Sequence, residues 1–243
     1  MPHINKANLK AKLFQVIQEK AVDPKVFDFM QEPLGPCVVF NTESVHFFIH
    51  SDEYRAYVQS CRHLFLDGVA LQLYLRMNGI YATRFHGPDL LSLLLRKGYF
   101  DSNQLALVGS DQTIEAFSKI APIRSRVPVP QFALDELEQV VSDINVDADP
   151  AFLQSTVIVC LGLPKQELFA AQLRKRFSGR ETFSILPLGA AIDFATGAKR
   201  RSSSFWTSIG LEWLPRLIRE PRMVTRLIRS FRALVQLQLG VRS

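Results

Sequence analysis

Asp67 stands inside the apolar run FLDGVALQLYLRMNG, residues 65 to 79, and is followed at once by Gly68. An aspartate in that position either caps the first turn of the helix that follows or waits at a strand end for chemistry. Three more apolar runs end in polar or glycine residues: at Asn41-Thr42, at Gly109-Ser110, and at Gly162 with the LPKQE stretch that holds Lys165, Gln166 and Glu167. Glycine at a strand end lets a phosphate or sugar approach the backbone, and the start of the next helix favours an anion. The plain reading of Lys165-Gln166-Glu167 is the polar first turn of a helix. Asp147 and Asp149 form an Asp-x-Asp pair, of the sort that holds a divalent metal with a nucleotide diphosphate. That pair follows a helix and precedes a strand, on the rim away from the other residues, where a solvated loop accounts for it. The fingerprints GxGxxG and GxxxxGK[ST] are absent, which disfavours nicotinamide chemistry and P-loop phosphoryl transfer.

These residues need elements that bring them to one rim, and the chain reads as strand and helix in alternation. A helical lead-in ends at EPLGP; CVVFNT, HLFLD, QLALVGS, STVIVCLG and FSILPLG read as buried strands. Between them, ESVHFFIHSDEYRAYVQSC, ALQLYLRMNG, DLLSLLLRKG, DQTIEAFSKI, LDELEQVVSDIN and KQELFAAQLRKRF have helical spacing, while RSRVPVPQF reads as a linker. Such repetition predicts an α/β fold, Rossmann-like, with a mostly parallel sheet covered by helices on both faces. Ligands of such sheets bind at the carboxyl ends of the strands, where the residues above gather.

Composition sets the remaining bounds. With 243 residues, 47% hydrophobic and 21% charged, the chain builds a large core without staples. Cys37, Cys61 and Cys160 are odd in number and widely spaced, as reduced core cysteines of a cytosolic protein are, and no cluster has zinc-ligand spacing. No signal peptide or membrane span is expected. The segment from Lys199 onward carries ten Lys/Arg against Glu212 and Glu220, so it contributes +8 to a net charge of +6 and the rest of the chain −2. We therefore expect a catalytic domain over 1–198 and a C-terminal basic helical appendage over 199–243. Within it Val224, Leu227, Ile228, Phe231, Leu234, Val235 and Leu239 form one apolar stripe, with Arg222, Arg226, Arg229 and Arg232 on the other face. This is the pattern of a helix lying in an anionic membrane surface. Packing on the body is the plain alternative, and no recognisable nucleic-acid module accompanies the charge.

Five blocks occur together: FLDGVALQLYLRMNG with TRFHGPDLL, then LALVGS, VIVCLGLPKQE, PLGAAIDFATG and GLEWLPRLIREPRMVTR. In their order and spacing, from about residue 36 to about residue 230, the chain resembles the WecG/TagA/CpsF glycosyltransferases, glycosyltransferase family 26. The resemblance implies a bacterial enzyme that moves a sugar from a UDP-sugar to a polyprenyl-diphosphate-linked saccharide, with inversion and without metal or other cofactor. It would act at the cytoplasmic face of the membrane as a peripheral protein, in wall-polymer, enterobacterial-antigen or exopolysaccharide synthesis. By the same resemblance Asp67 is the general base, which takes the proton of an acceptor hydroxyl as that oxygen attacks the anomeric carbon. Asn41 and Gln166 line the sugar and nucleotide pocket; Arg84, Gly87 and Asp89 shape it; Asp193 lies in a glycine-flanked turn beside it. Gly109, Gly162, Lys165 and Glu167 complete the substrate-binding set at the strand ends. Arg216 and Arg226 would fold over the site and meet a diphosphate.

Some positions depart from the family pattern. Val39 replaces a threonine, the customary Arg-Ala-Pro reads Arg201-Ser202-Ser203, with Arg201 kept as a binding candidate, and Met223 stands where an arginine is usual. A GYF-containing segment is not evident in RSRVPVPQF. These departures keep open a non-catalytic sugar-nucleotide-binding subunit, and Asp147 with Asp149 a metal-dependent transferase. A homo-oligomer is compatible with the sequence.

Overall fold

The computed structural model describes residues 7–25, 27, 34–102, 104–144, 152–178, 184–198 and 222–240. Six short parallel strands form its centre: β1 (Cys37–Phe40), β2 (His63–Leu66), β3 (Leu105–Gly109), β4 (Ser125–Pro128), β5 (Thr156–Val159) and β6 (Ser184–Pro187). β4, β3, β5 and β6 lie side by side in that order, and β1 pairs with β2. The two groups meet where the Ile185 N–H donates to the Gly35 carbonyl at 3.2 Å and Pro36 bridges Ile185. All carboxyl ends therefore point to one rim.

The strand side chains sort by the two-residue period of a pleated strand. Val38, Phe40, Leu64, Leu66, Ala106, Val108, Val157, Val159 and Ile185 enter one core layer. Cys37, Phe65, Leu105, Leu107, Ile158 and Leu186 enter the opposite one. Each layer needs its own helices, because a sheet apolar on both faces must be covered twice. The first layer takes α1 (Ala7–Lys20), α2 (Thr42–His50), α3 (Asp52–Ser60), α4 (Val69–Met77), and later α8 (Leu137–Asp143) and α9 (Lys165–Arg176). The second takes α5 (Gly87–Arg96), α6 (Tyr99–Ser102), α7 (Asp111–Ser118) and α10 (Gly189–Ala195). The α/β fold with parallel strands and helices on both faces is the one that the alternation predicts.

Three local expectations change. The linker expected around residue 125 contributes β4, which pairs only with β3 and so lies at the sheet edge, where Pro128 costs no ladder bond. The stretch GAAIDFA is a helix, α10, rather than a turn, because Ala191 and Ile192 pack into the second core layer. The single helical run from Glu43 to Cys61 is two helices, since Ser51 adopts an extended backbone and caps α3 through Tyr54 N–H at 3.1 Å. The three cysteines are unpaired, as expected; burial pushes the Cys61 thiol up to about 12 and raises those of Cys37 and Cys160 further from reactivity.

The C-terminal helix α11 (Arg222–Leu239) lies against α2, with Ala233, Leu234 and Leu237 in the first core layer. The boundary placed near residue 198 is followed by residues 199–221, which lie outside the described ones.

Candidate functional site

The fold puts the ends of β1 and β2 next to each other, since Phe40 is in register with Leu66 and the Asp67 N–H donates to the Phe40 carbonyl at 2.8 Å. Gly68 follows with φ +89°, a left-handed conformation that a side chain would strain. Gly68 is also the N-cap of α4 and has no side chain to bond that helix end, and among the described residues the one side-chain hydrogen bond of Asp67 goes to His86. Asp67 is therefore not the cap that the plain reading of Asp-Gly supposes. Its carboxylate turns instead to His86, whose Nδ1 lies 2.5 Å from Oδ1.

The chain brings His86 there by a second strand-like contact. Arg84 bridges Leu66, and the Phe85 N–H donates to the Leu66 carbonyl at 2.7 Å, so residues 84 and 85 run beside the end of β2. His86 is then the N-cap of α5, with Gly87, Pro88 and Asp89 as its first turn. Asp67 raises the His86 pKa, chiefly by the hydrogen bond and further by its charge, and outweighs the opposing effects of burial and Arg84. Gly87 is buried, and a side chain there would lie 3.6 Å from Val39 and 3.9 Å from Ala191. Hence β1, α5 and α10 converge at this point, with Val39 serving as apolar packing where the family pattern has a hydroxyl.

Asn41 ends β1 and caps α2: its Oδ1 accepts from the N–H groups of Glu43 at 2.9 Å and Ser44 at 3.1 Å. Its oxygen is thus committed to the helix. On the other side of β1, Gln166 ties two strand ends together. Its Oε1 accepts from the Gly189 N–H at 3.1 Å and its Nε2 donates to Glu167 at 2.8 Å. A side chain at Gly189 would approach the Gly162 nitrogen to 3.2 Å, so this contact requires glycine. Gly162 itself is exposed, has φ +73°, and opens onto free space.

Glu167 is fully buried beneath Gln166, and burial pushes its pKa up to about 8 despite the amide bond. It supports Gln166 rather than facing the rim, and its Oε2 has no hydrogen-bond partner among the described residues. Lys165 also turns away: its ammonium donates to the Phe132 carbonyl and lies 4.6 Å over the Phe132 ring. Gly109 is buried, and a side chain there would come within 3.2 Å of Cys160, so its smallness serves the packing between β3 and the end of β5. Asp193 sits half-buried on α10, and its charge contributes to raising the Cys160 thiol.

Arg226 pairs with Glu43, two residues past Asn41. Its Nε and a terminal nitrogen donate to Glu43 Oε2 at 2.9 and 2.6 Å, while Arg229 bonds Oε1 of the same carboxylate. The two arginines therefore lie on the inner face of α11, drawn there by a carboxylate in the first turn of α2. The outer face carries Val224, Ile228, Phe231, Val235 and Leu239, each about half exposed, and the exposed Arg232. Leu234, expected in that stripe, is buried against the body. Arg201, Arg216, Asp147 and Asp149 lie outside the described residues. Among the described residues, no three His, Cys, Asp or Glu side chains gather as a metal site.

The described rim thus joins Asp67, His86, Arg84, Asn41, Gln166 and the glycine turns, and leaves out Lys165, Glu167 and Gly109. Reading the sequence missed His86 and Glu43. A histidine directly before a Gly-Pro helix start was the available signal for the first; nothing local distinguished the second.

A carboxylate beside a histidine at the ligand rim of a Rossmann-like sheet fits a group-transfer enzyme. The chain matches the model of the glycosyl transferase WecG/TagA/CpsF family over residues 11–241, nearly its whole length, and it belongs to that family. It is a glycosyltransferase of cell-surface polysaccharide synthesis.

Proposed function

We propose that the protein is an inverting, metal-independent transferase that moves a sugar from a UDP-sugar to a polyprenyl-diphosphate-linked saccharide. The observation that carries this reading is Asp67, held at a strand end by His86, free of helix capping, and with its side chain 25% exposed. Asp67 is the general base. The acceptor O–H bond breaks and its proton goes to the carboxylate; the acceptor oxygen bonds to the anomeric carbon as the bond to the nucleotide phosphate breaks; that electron pair leaves on UDP. One direct displacement inverts the anomeric centre. In this reading Asn41 contacts the nucleotide or sugar, Gln166 holds the turns around Gly162 and Gly189 in shape for it, and Arg84 supplies positive charge beside the base.

The enzyme works at the inner face of the cytoplasmic membrane, and residues 199–243 act as its membrane-associating part. The outward stripe of α11 supports this, because an exposed apolar row beside arginine suits the headgroup layer of an anionic leaflet. Among the described residues no helix is long and apolar enough to cross a membrane.

The test is a panel of UDP-glucose, UDP-N-acetylglucosamine, UDP-N-acetylmannosamine and UDP-glucuronate with a short polyprenyl-diphosphate-linked sugar, with and without EDTA. One donor should give UDP release with product of inverted configuration, unchanged by EDTA. Retention of configuration, or activity lost to EDTA and restored by Mg²⁺ or Mn²⁺, overturns the mechanism. UDP binding without turnover across the panel returns the chain to a binding role.

A further inference from the structure

We propose that His86 is a positioning residue of the transfer reaction: its imidazole fixes the Asp67 carboxylate through Oδ1 and leaves Oδ2 to meet the acceptor hydroxyl. The inference rests on the reading of Asp67 as the base and adds a second group to it.

Three observations carry it. The backbone of residues 84 and 85 pairs with Leu66, so His86 and Asp67 are delivered side by side by two independent stretches of chain. His86 occupies the N-cap position of α5 but does not cap it; the side chain goes to the carboxylate instead. Its other nitrogen, Nε2, is buried and has no hydrogen-bond partner among the described residues. Among the described residues the ring bonds Asp67 alone, and an unmet buried nitrogen is a feature that asks for an explanation, a catalytic role among them. The carboxylate accepts only, so Nδ1 carries the shared proton. Asp67 is also the more exposed of the two side chains, 25% against 18%, so the carboxylate is open to a substrate while paired with the ring.

A pH dependence follows. The charged groups that act on the ring are Asp67 at the end of β2, Arg84 in the preceding segment and Asp89 on α5; α10, packed on α5, carries Asp193, whose charge acts on Cys160. A protonated ring stabilises the carboxylate and makes it a poorer proton acceptor. Turnover should therefore rise with pH as His86 loses its second proton, at a midpoint above that of an ordinary histidine.

The experiment pairs NMR titration of the histidine side chains in the full chain with kcat and KM profiles against pH, using the donor that the panel selects. The His86 midpoint should lie above the ordinary value and fall in Asp67→Asn. His86→Ala should lower kcat about 10–100-fold, the scale of a misplaced reacting group, with KM for the UDP-sugar unchanged. His86→Gln keeps a donor for Oδ1 without titrating near neutrality; it should recover part of kcat and lose the acid limb assigned to His86. A midpoint indifferent to Asp67→Asn, a wild-type kcat in His86→Ala, or an unshifted acid limb in His86→Gln each overturns the proposal. An Asp67→Asn variant that keeps full turnover sinks the base reading as a whole, whereas an inactive Asp67→Asn beside normal His86 variants sinks only the role of His86. The NMR arm decides on the pairing even where no donor in the panel is turned over.

Discussion

Two carboxylates end up close to the same rim, and the chain treats them in opposite ways. Glu43 is 7% exposed and has both oxygens engaged, one by Arg226 and one by Arg229, with the Arg229 guanidinium also 5.2 Å over the Phe47 ring. Asp67 is a quarter exposed and, among the described residues, held through one oxygen by a group that can itself titrate. Permanent cations on both oxygens fix a carboxylate as anion and structural clamp. One titratable neighbour and one open oxygen leave a carboxylate that can accept a proton. The difference lies in the neighbours rather than in the residue, and it separates what fastens the C-terminal helix from what performs the reaction.

The two carboxylates should respond to amide substitution in different observables. Asp67→Asn should lower kcat by about 10²–10⁴-fold, the usual worth of a general base, while UDP affinity by calorimetry and thermal stability stay near wild type. Glu43→Gln should do the reverse in kind. It leaves two guanidinium groups without their counter-charge, and because both are 40–48% exposed the loss is moderated by solvent. We expect a cost of about 1–3 kcal/mol, read as a melting temperature lower by several degrees. The distinction collapses if Asp67→Asn unfolds the chain or Glu43→Gln leaves its stability untouched.

The buried Glu167 is a third case, a carboxylate with no cation beside it among the described residues. Its pKa is raised from 4.5 to about 8, mainly by burial, so the folded chain holds a proton that the unfolded chain releases. Stability from this group is fully present below pH 4.5 and is lost as the pH rises through about 8. The unfolding free energy from urea titrations should fall between pH 5 and pH 9 by on the order of a few kcal/mol at most, and Glu167→Gln should flatten that slope. An unchanged slope in the variant would mean that Glu167 is ionised and paired at neutral pH.

How far all this was legible follows the range of the interactions. The strands β1, β2, β3, β5 and β6 stood out because continuous β-branched and apolar runs have few alternatives in a sheet buried on both faces. β4 did not, since SRVP at an edge carries half the apolar pressure and ends in proline. Asp67, Asn41 and Gln166 were visible as polar punctuation at strand ends. His86 was visible only as part of a block, because its meaning depends on Leu66 and Arg84 pairing across the end of β2. The clamp on Glu43 joins residues 183 and 186 positions apart, and no local pattern encodes it. For that reason the arginines of α11 looked like one solvent face, when two of them belong to the interior side.

That reassignment sets the smallest and most specific test. If Arg226 and Arg229 are spent on Glu43, the charge that α11 offers to a membrane comes from its outer edge, where Arg232 is exposed beside Phe231 and Val235. Arg232→Glu should therefore weaken binding of the full chain to vesicles containing phosphatidylglycerol, whereas Arg229→Gln should act mainly on stability. One arginine at the surface is worth about 1 kcal/mol, so removing it should weaken binding about fivefold, and reversing it somewhat more. The effect should grow as salt is lowered, because screening shortens the reach of an exposed charge. Phe231→Ser removes apolar contact instead and should weaken binding at every salt concentration, since burial of apolar area does not depend on screening. Cosedimentation at low and high salt separates the three variants. Equal losses for Arg229→Gln and Arg232→Glu would return both arginines to one membrane face. Indifference of the vesicles to Phe231→Ser would mean that the outer stripe of α11 meets something other than lipid.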